Sequence, residues 1–260
     1  MTKLVTYSPK EGELERILSG DIKWFVFEID SLTPCILEKG NIERRNIDRR
    51  ILHLVEKIII TGEKYFSKPQ QKKLLEVLRY AAKKHTGVYR KDGITPYIHH
   101  PLEVASLIID LKIFDYKILI AAILHDVVED TKTSPQEITK LFGAGVSNIV
   151  YFVSKNKQII ETGEYWSRMK QESDLNYRWR IIVLKFADRI HYFMTSNIIL
   201  QEKKDVKIIE TKIEFEKLFR VLKKTFSLLI EKRTLRNKKQ FGHMAERLYR
   251  RLLDEINHHI

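Results

Sequence analysis

The chain contains little that would interrupt helices or cross-link the fold covalently. Its 260 residues include ten glycines, six prolines and one cysteine. The single cysteine, Cys35, excludes an internal disulfide framework, and a lone thiol is typical of a reducing compartment. We therefore expect a cytoplasmic protein stabilised by a hydrophobic core, which a chain of this length can bury.

Long apolar runs are also missing from the sequence. The longest uninterrupted run, from Ile118 to Leu124, is far shorter than the roughly 20 residues that span a bilayer. The first residues contain no apolar core of the kind found in secretory signal peptides. We therefore expect neither a membrane span nor secretion.

Basic residues outnumber acidic ones, 47 to 34, and the formal net charge is +13. Such an excess favours an anionic partner, and charge alone does not choose among a nucleic acid, an acidic membrane surface and a polyphosphate small molecule. The segment from Glu231 to Arg251 is a basic tail with eight Lys/Arg residues against two acids. Because such a run is more often a solvated helix face, nucleic-acid binding is kept as an alternative only.

Apolar residues recur at helical spacing over most of the chain, for example at Leu74, Leu75, Leu78 and Ala81. The pattern predicts an all-α protein. The best strand candidate, from Trp24 to Ile29, is short and fits a buried helical turn equally well. Helices are predicted over 10–19, 42–60, 70–85, 101–110, 115–130, 135–141, 144–155, 163–172, 176–198, 203–230 and 240–258.

Four ionisable side chains end the most apolar of these helices. His125, Asp126, Glu129 and Asp130 directly follow the run that ends at Leu124. Burying unpaired charge is costly, so something must compensate this group. Helical spacing places His125 over Glu129 and Asp126 over Asp130, because residues four apart lie on the same face of a helix. A divalent cation bound to the cluster would neutralise it.

One His-Asp pair supplies only two ligands, so a metal site needs others from elsewhere. His100 stands at a loop-to-helix junction, and Asp188 ends a second apolar run. Two histidines and two aspartates suit Mn²⁺ and tolerate other divalent ions. An ion there would acidify a bound water. On spacing alone, His99 could replace His100.

Four motifs occur in a fixed order, over 81–91, 96–105, 125–131 and 185–191. Together they resemble the hydrolase domain of RelA/SpoT homologues, and the match covers about 70–200. The resemblance implies an HD-domain helical bundle with extra N- and C-terminal helices. It divides the chain into an unmatched N-terminal extension (1–68), an HD phosphohydrolase core (69–200) and a C-terminal helical extension with a basic tail (201–260).

The segment after residue 200 is too short for the synthetase domain of the long family members. We therefore expect the chain to resemble the small stand-alone alarmone hydrolases. The implied metal is Mn²⁺, and the implied ligands are His100, His125, Asp126 and Asp188. The residues matching Glu129 and Asp130 orient or deprotonate the attacking water in that family, a role that suits carboxylates beside a metal.

The resemblance also implies a nucleotide site. The residue matching Arg90 packs on the purine base, Lys91 stands where a cation can meet phosphate, and Thr195 matches a position near the sugar and phosphate. Both basic residues suit these roles, because a guanidinium stacks whereas an ammonium acts as a point charge. The chain departs from the family at Tyr192, where an asparagine is usual, which puts nucleotide specificity in question.

The implied reaction is hydrolysis of the 3′-pyrophosphate of ppGpp or pppGpp to GDP or GTP and pyrophosphate, which lowers alarmone levels in the stringent response. One alternative is an HD phosphohydrolase for another nucleotide, such as an adenine alarmone or the 2′-phosphate of NADPH. Another is a nucleotide sensor with weak catalysis, although Glu129 and Asp130 argue against it. The apolar face of helix 203–230 is expected to pack on the core or on a second copy of the chain.

Overall fold

The computed structural model describes residues 42–155, 164–232, 241 and 243–259. Within these ranges the protein is all-α, as predicted, and its one β-type contact is an isolated bridge between Tyr89 and Pro96. The predicted helix at 10–19 and the strand candidate at 24–29 lie outside the described residues, as do residues 233–240 and 242 of the basic tail.

Eleven helices lie within the described ranges. A 3₁₀ turn, Ser196–Ile198, follows the ninth helix. The bounds are α1 Ile42–Tyr65, α2 Lys68–Lys84, α3 His99–Asp110, α4 Tyr116–Leu124, α5 Val127–Asp130, α6 Pro135–Phe142, α7 Ala144–Val153, α8 Glu164–Gln171, α9 Leu175–Met194, α10 Gln201–Glu231 and α11 Met244–Asn257.

The predicted helix over 115–130 is interrupted at His125 and Asp126. The backbone of Asp126 has φ −95° and ψ −9°, which departs from regular helical values and loosens the hydrogen-bond ladder. The Ser154 hydroxyl donates to the freed carbonyl of His125 at 3.3 Å. The helical path nevertheless continues, because the Asp130 N–H donates to the Asp126 carbonyl at 2.8 Å.

Helix α3 begins at His99, two residues earlier than predicted, so Pro101 is not its first residue. Proline is still tolerated there, because N–H groups of the first turn have no acceptor within the helix. The consequence is that His100 lies inside the first turn of α3. Its side-chain direction is therefore set by the helix.

Helix α4 is the centre of the core. Residues Ile118 to Leu124 are all at most 1% exposed, as expected for a helix that is apolar on every side. It packs against α2, α3, α7 and α9. Its first turn is tied to α9 by Arg180, whose Nη2 lies 2.6 Å from Asp115 Oδ2. This packing brings the start of α3, the end of α4 and the middle of α9 together.

Helices α10 and α11 pack on α9 and on each other. Four α11 side chains with no exposed surface, Met244, Leu248, Leu252 and Ile256, form its apolar stripe. Helix α10 buries Phe215 and other apolar residues but leaves Val206, Ile209 and Ile213 exposed. Its buried face therefore packs on the core, while a homo-oligomer stays a prediction. No described helix is long and apolar enough to cross a membrane.

Candidate metal centre

Four side chains from three helices meet at one point. His100 comes from α3, His125 and Asp126 from the break between α4 and α5, and Asp188 from α9. The two histidine Nε2 atoms are 3.2 Å apart. His100 Nε2 lies 3.3 Å from Asp126 Oδ2 and 3.4 Å from Asp188 Oδ1. His125 Nε2 lies 3.2 Å from Asp126 Oδ1 and 3.8 Å from Asp188 Oδ1.

These separations fit ligands that share one ion. Two atoms each about 2.1 Å from an ion, at a right angle, are about 3 Å apart. The ligand atoms of His100, His125 and Asp188 all lie within 4.8 Å of one another, and Asp126 contacts both histidines. Two imidazole nitrogens with two carboxylates form a donor set that suits a borderline or hard divalent ion. The residues present therefore fit a divalent metal.

The outer nitrogen of each histidine has a different partner. His125 Nδ1 lies 2.8 Å from the Ala122 carbonyl oxygen, one turn earlier in the same helix. A carbonyl can only accept, so Nδ1 carries a proton, and Nε2 is the ring nitrogen that faces the centre. His100 Nδ1 instead lies 2.8 Å from Nδ1 of His191.

Each aspartate is held by a donor on its outer side. The Tyr97 hydroxyl donates to Asp126 Oδ2 at 2.8 Å, and Lys185 Nζ donates to Asp188 Oδ2 at 2.7 Å. Burial alone would raise the pKa of Asp126, but the charges of His125 and His100 outweigh it and hold this pKa well below its usual range. Despite burial, the pKa of Asp188 is also held well below its usual range, by Lys185 and the two histidines, so both carboxylates are ionised.

Two basic side chains, His100 and Lys185, face the two carboxylates of the centre. Burial alone would lower the pKa of His100, but its hydrogen bonds to Asp126 and Asp188 and their charges raise it to about 9. Lys185 behaves similarly, since burial would lower its pKa but Asp188 raises it. In the metal-free protein, a proton on His100 thus supplies part of the positive charge that an ion would bring.

His99 lies outside this centre, although its position in the sequence made it an alternative to His100 as a metal ligand. Its Nε2 is 3.5 Å from Glu103 Oε1, one turn along α3. Burial and nearby cations lower its pKa to about 4, so it is neutral. Of the adjacent pair, His100 is the residue whose ring faces the two aspartates.

Glu129 and Asp130 lie at the rim of the centre, one turn after the ligand pair. Glu129 Oε2 accepts a hydrogen bond from the Lys155 backbone N–H at 2.9 Å. Desolvation by the surrounding protein raises the pKa of both carboxyl groups, and the charge of Asp126 adds to this effect. Both remain accessible to solvent. They can therefore take part in proton transfer beside the centre.

The loop between α2 and α3 carries Arg90 and Lys91 as a tight turn. The Arg90 N–H donates to the Thr95 carbonyl at 2.8 Å, and Gly93 has φ +75°, a conformation that favours glycine. The Arg90 guanidinium reaches Thr195, with Nη2 3.3 Å from Oγ1, and covers the Tyr97 ring at 5.6 Å. Lys91 is exposed. Arg90 and Thr195 are thus in direct contact, although they lie 105 residues apart in the chain.

Tyr192 is half-buried on the side of α9 that faces α10. Its ring lies 5.9 Å from the Arg189 guanidinium carbon and 5.2 Å from the Phe193 ring. Burial raises the pKa of its hydroxyl, with the charge of Glu210 adding to the effect and that of Arg189 opposing it. The ring is therefore beside Arg189, whereas Thr195 is bound to Arg90.

Three residues at the centre received no role from the sequence: Tyr97, Lys185 and His191. All three lie inside the quoted motifs. Lys185 had a usable signal, because its i, i+3 spacing to Asp188 predicts contact on one helix face. Tyr97 and His191 had none, because their partners lie 29 and 91 residues away in the chain.

A family model described as HD domain matches residues 77–218 of the chain. Among curated proteins, the chain is 32% identical over 162 residues to the bifunctional (p)ppGpp synthase/hydrolase SpoT of Escherichia coli (strain K12). It is 37% identical over 120 residues to guanosine-3′,5′-bis(diphosphate) 3′-pyrophosphohydrolase MESH1 of Drosophila melanogaster. These matches cover 59% and 45% of this chain.

The share of each relative that is covered differs widely. The match takes in 22% of the Escherichia coli protein and 66% of the Drosophila protein. A solved structure, described as a metazoan ortholog of SpoT that hydrolyzes ppGpp, superposes with a TM-score of 0.50 at 28% identity. That superposition covers 68% of this chain and 94% of the other.

Proposed function

The chain belongs to the HD domain family, and from that premise we propose that it is a metal-dependent hydrolase of (p)ppGpp. The proposed reaction removes the 3′-pyrophosphate and leaves GDP or GTP, which lowers alarmone levels in the stringent response. The observation that carries the proposal is the convergence of two histidines and two aspartates beside Glu129 and Asp130. Relatives named as ppGpp 3′-pyrophosphohydrolases support the substrate class.

We infer that His100, His125, Asp126 and Asp188 hold the ion, and that this ion is Mn²⁺. When bound, a divalent ion supplies a Lewis acid and lowers the pKa of a coordinated water. Glu129 and Asp130 are the proton-handling groups in this proposal. Desolvation raises their pKa values, and a raised pKa makes a carboxylate a better general base near neutral pH.

Cations from three parts of the chain favour a polyphosphate substrate. The charges of Arg189 and Lys155 both perturb Lys207, and the charge of Arg189 also perturbs Lys155. Burial, followed by the charges of Arg189 and Lys155, lowers the pKa of Lys207 to about 8. Burial and the charges of Lys185 and Arg189 also lower that of Lys155. Glu210 neutralises part of this positive charge through ion pairs with Lys207 and Arg189, and a bound phosphate would neutralise more of it.

Two roles at the nucleotide end extend the proposal. Arg90, already placed over Tyr97, would stack on the purine, while Thr195 and Lys91 would contact the sugar and phosphates.

We also propose that residues 69–200 form the catalytic unit and that 1–68 and 201–260 are extensions. Lys207, on α10, would then bring one cation from the C-terminal extension to the substrate.

The test is incubation of the purified protein and Mn²⁺ with ppGpp, pppGpp, their adenine counterparts and NADPH, with chromatography of the products. We expect GDP or GTP with pyrophosphate in equal amounts. His100→Ala should abolish turnover, whereas His99→Ala, its neighbour on α3, should retain it. Release of single phosphate from NADPH, without release of pyrophosphate from ppGpp, would overturn the proposed substrate.

A second nucleotide is kept as an alternative because of Tyr192. The ring stands beside Arg189, where the family usually has an asparagine. An adenine alarmone or the 2′-phosphate of NADPH would use the same metal ligands, so the same substrate panel separates these cases.

A further inference from the structure

His125 and His100, the two histidines of the centre, have different hydrogen-bond partners for their outer ring nitrogen, Nδ1. His125 ends helix α4, so a complete helical turn precedes it and offers the Ala122 carbonyl to its Nδ1. His100 lies in the first turn of α3, and no helical turn precedes it. The carbonyl three residues before it, that of Tyr97, already accepts the His100 backbone N–H at 3.0 Å. His100 therefore depends on another helix for a partner.

His191 on α9 supplies that partner. It lies three residues after Asp188, so both side chains leave α9 on the same face. The two Nδ1 atoms are 2.8 Å apart, the ring centroids are 4.7 Å apart, and His191 is only 1% exposed. The Thr195 hydroxyl donates to the His191 carbonyl at 3.0 Å, one turn further along. Both rings are thus fixed inside the protein.

A hydrogen bond between two Nδ1 atoms has only two arrangements. In one, His100 carries its proton on Nδ1 and donates to His191, which leaves Nε2 of His100 with a lone pair for an ion. In the other, His191 donates and the proton of a neutral His100 lies on Nε2. That proton would point at Asp126 and Asp188 and would exclude an ion from the centre.

We propose that His191 is a positioning residue that accepts the Nδ1 proton of His100 and so holds the ring in the tautomer and orientation required for metal binding. The inference rests on the proposed metal centre. Metal-binding histidines commonly donate their outer N–H to a carboxylate or carbonyl, and losing such a partner weakens metal affinity about 10- to 100-fold. Here a neutral imidazole takes the place of that oxygen.

Two nearly isosteric substitutions separate hydrogen bonding from packing. Asparagine can place its carbonyl oxygen near the former Nδ1, whereas leucine fills similar space without an acceptor. We expect His191→Leu to weaken Mn²⁺ binding by about 10- to 100-fold. His191→Asn should remain within about threefold of the native protein. Phe193→Leu, which removes a buried ring elsewhere on α9, is the control for lost packing and should bind as the native protein does.

Mn²⁺ affinity can be measured from the electron paramagnetic resonance signal of the free ion during titration, with thermal denaturation of each variant recorded alongside. Equal loss in the asparagine and leucine variants, or no loss in either, would overturn the inference. Absence of saturable binding by the native protein would instead overturn the metal centre itself, so the two failures are distinguishable.

A second measurement needs no substitution and covers the case in which a variant does not fold. Long-range ¹H–¹⁵N spectra of the native protein loaded with diamagnetic Zn²⁺ report which ring nitrogen of each histidine carries a proton. We expect His100 to be protonated at Nδ1 and His191 at Nε2. A proton on Nδ1 of His191 in the loaded protein would contradict the inference.

Discussion

Binding of a divalent ion to the centre should displace nearly one proton from His100 at pH 8. Asp126 and Asp188 raise the pKa of His100 to about 9 despite its burial. An ion needs the lone pair of Nε2, so the protonated ring must lose a proton before it can coordinate. At pH 8 a group with a pKa of about 9 is about 90% protonated, whereas an ordinary histidine is about 3% protonated.

The same proton weakens metal binding as the pH falls. With a pKa of about 9, only about 1% of His100 is free to coordinate at pH 7, so the apparent affinity is about 100-fold below its limit at high pH. Each pH unit below 9 costs about tenfold in affinity, or about 1.4 kcal/mol. Affinity therefore rises between pH 7 and 8 and becomes constant above pH 9.

Calorimetric titration with Mn²⁺ in buffers of different ionisation enthalpy measures both quantities. We expect release of about 0.9 proton at pH 8 and an approximately tenfold tighter Kd at pH 8 than at pH 7. His99→Ala is the matched control: burial and nearby cations lower the pKa of His99 to about 4, so its removal should not change proton release. Release below about 0.2 proton, with the same Kd at both pH values, would refute the reasoning.

The remaining predictions concern single changes to the chain. Asp188→Ala should lose bound Mn²⁺ and turnover together. Glu129→Gln should keep the metal and slow hydrolysis by about 10²- to 10⁴-fold. Equal loss of metal in the two variants, measured by elemental analysis, would show that Glu129 is a ligand. Truncation after Glu231 removes α11 and its four fully buried apolar residues. The Tm measured by scanning calorimetry should therefore fall by about 10 °C or more. An unchanged Tm would show that α11 does not stabilise α9. Tyr192→Asn should change the order in which ppGpp, pppGpp and their adenine counterparts rank by kcat/KM, without changing the affinity for Mn²⁺. An unchanged order would show that Tyr192 does not determine substrate specificity.

The helices were predictable because each has to bury a continuous apolar stripe. The run from Ile118 to Leu124 and the apolar stripe of α10 have to be buried in any fold of this chain, because both are apolar. The break at His125 and Asp126 was not predictable from local sequence. The Ser154 hydroxyl, which lies within hydrogen-bond distance of the His125 carbonyl at the break, comes from 29 residues away in the chain. A local pattern contains no information on that contact.

The candidate ligands were predictable for a related reason. A charged residue that ends an apolar run must find compensation, and His125, Asp126 and Asp188 all stand in that position. The choice between His99 and His100 could not be made on these grounds. It depends on where α3 begins, since adjacent residues on a helix point about 100° apart. With the start at His99, the ring of His100 faces the aspartates.

The side chains that hold the ligands are harder to predict than the ligands. Lys185 shares a helix face with Asp188, so spacing alone predicts their contact. Tyr97 and His191 act across helices, and each contact exists only because α3, α4 and α9 pack closely at one end. A histidine next to a metal motif is read most readily as another ligand. His191 has its Nδ1 directed at the ring of His100 and not at the aspartates, and this difference in direction separates a positioning role from a ligand role.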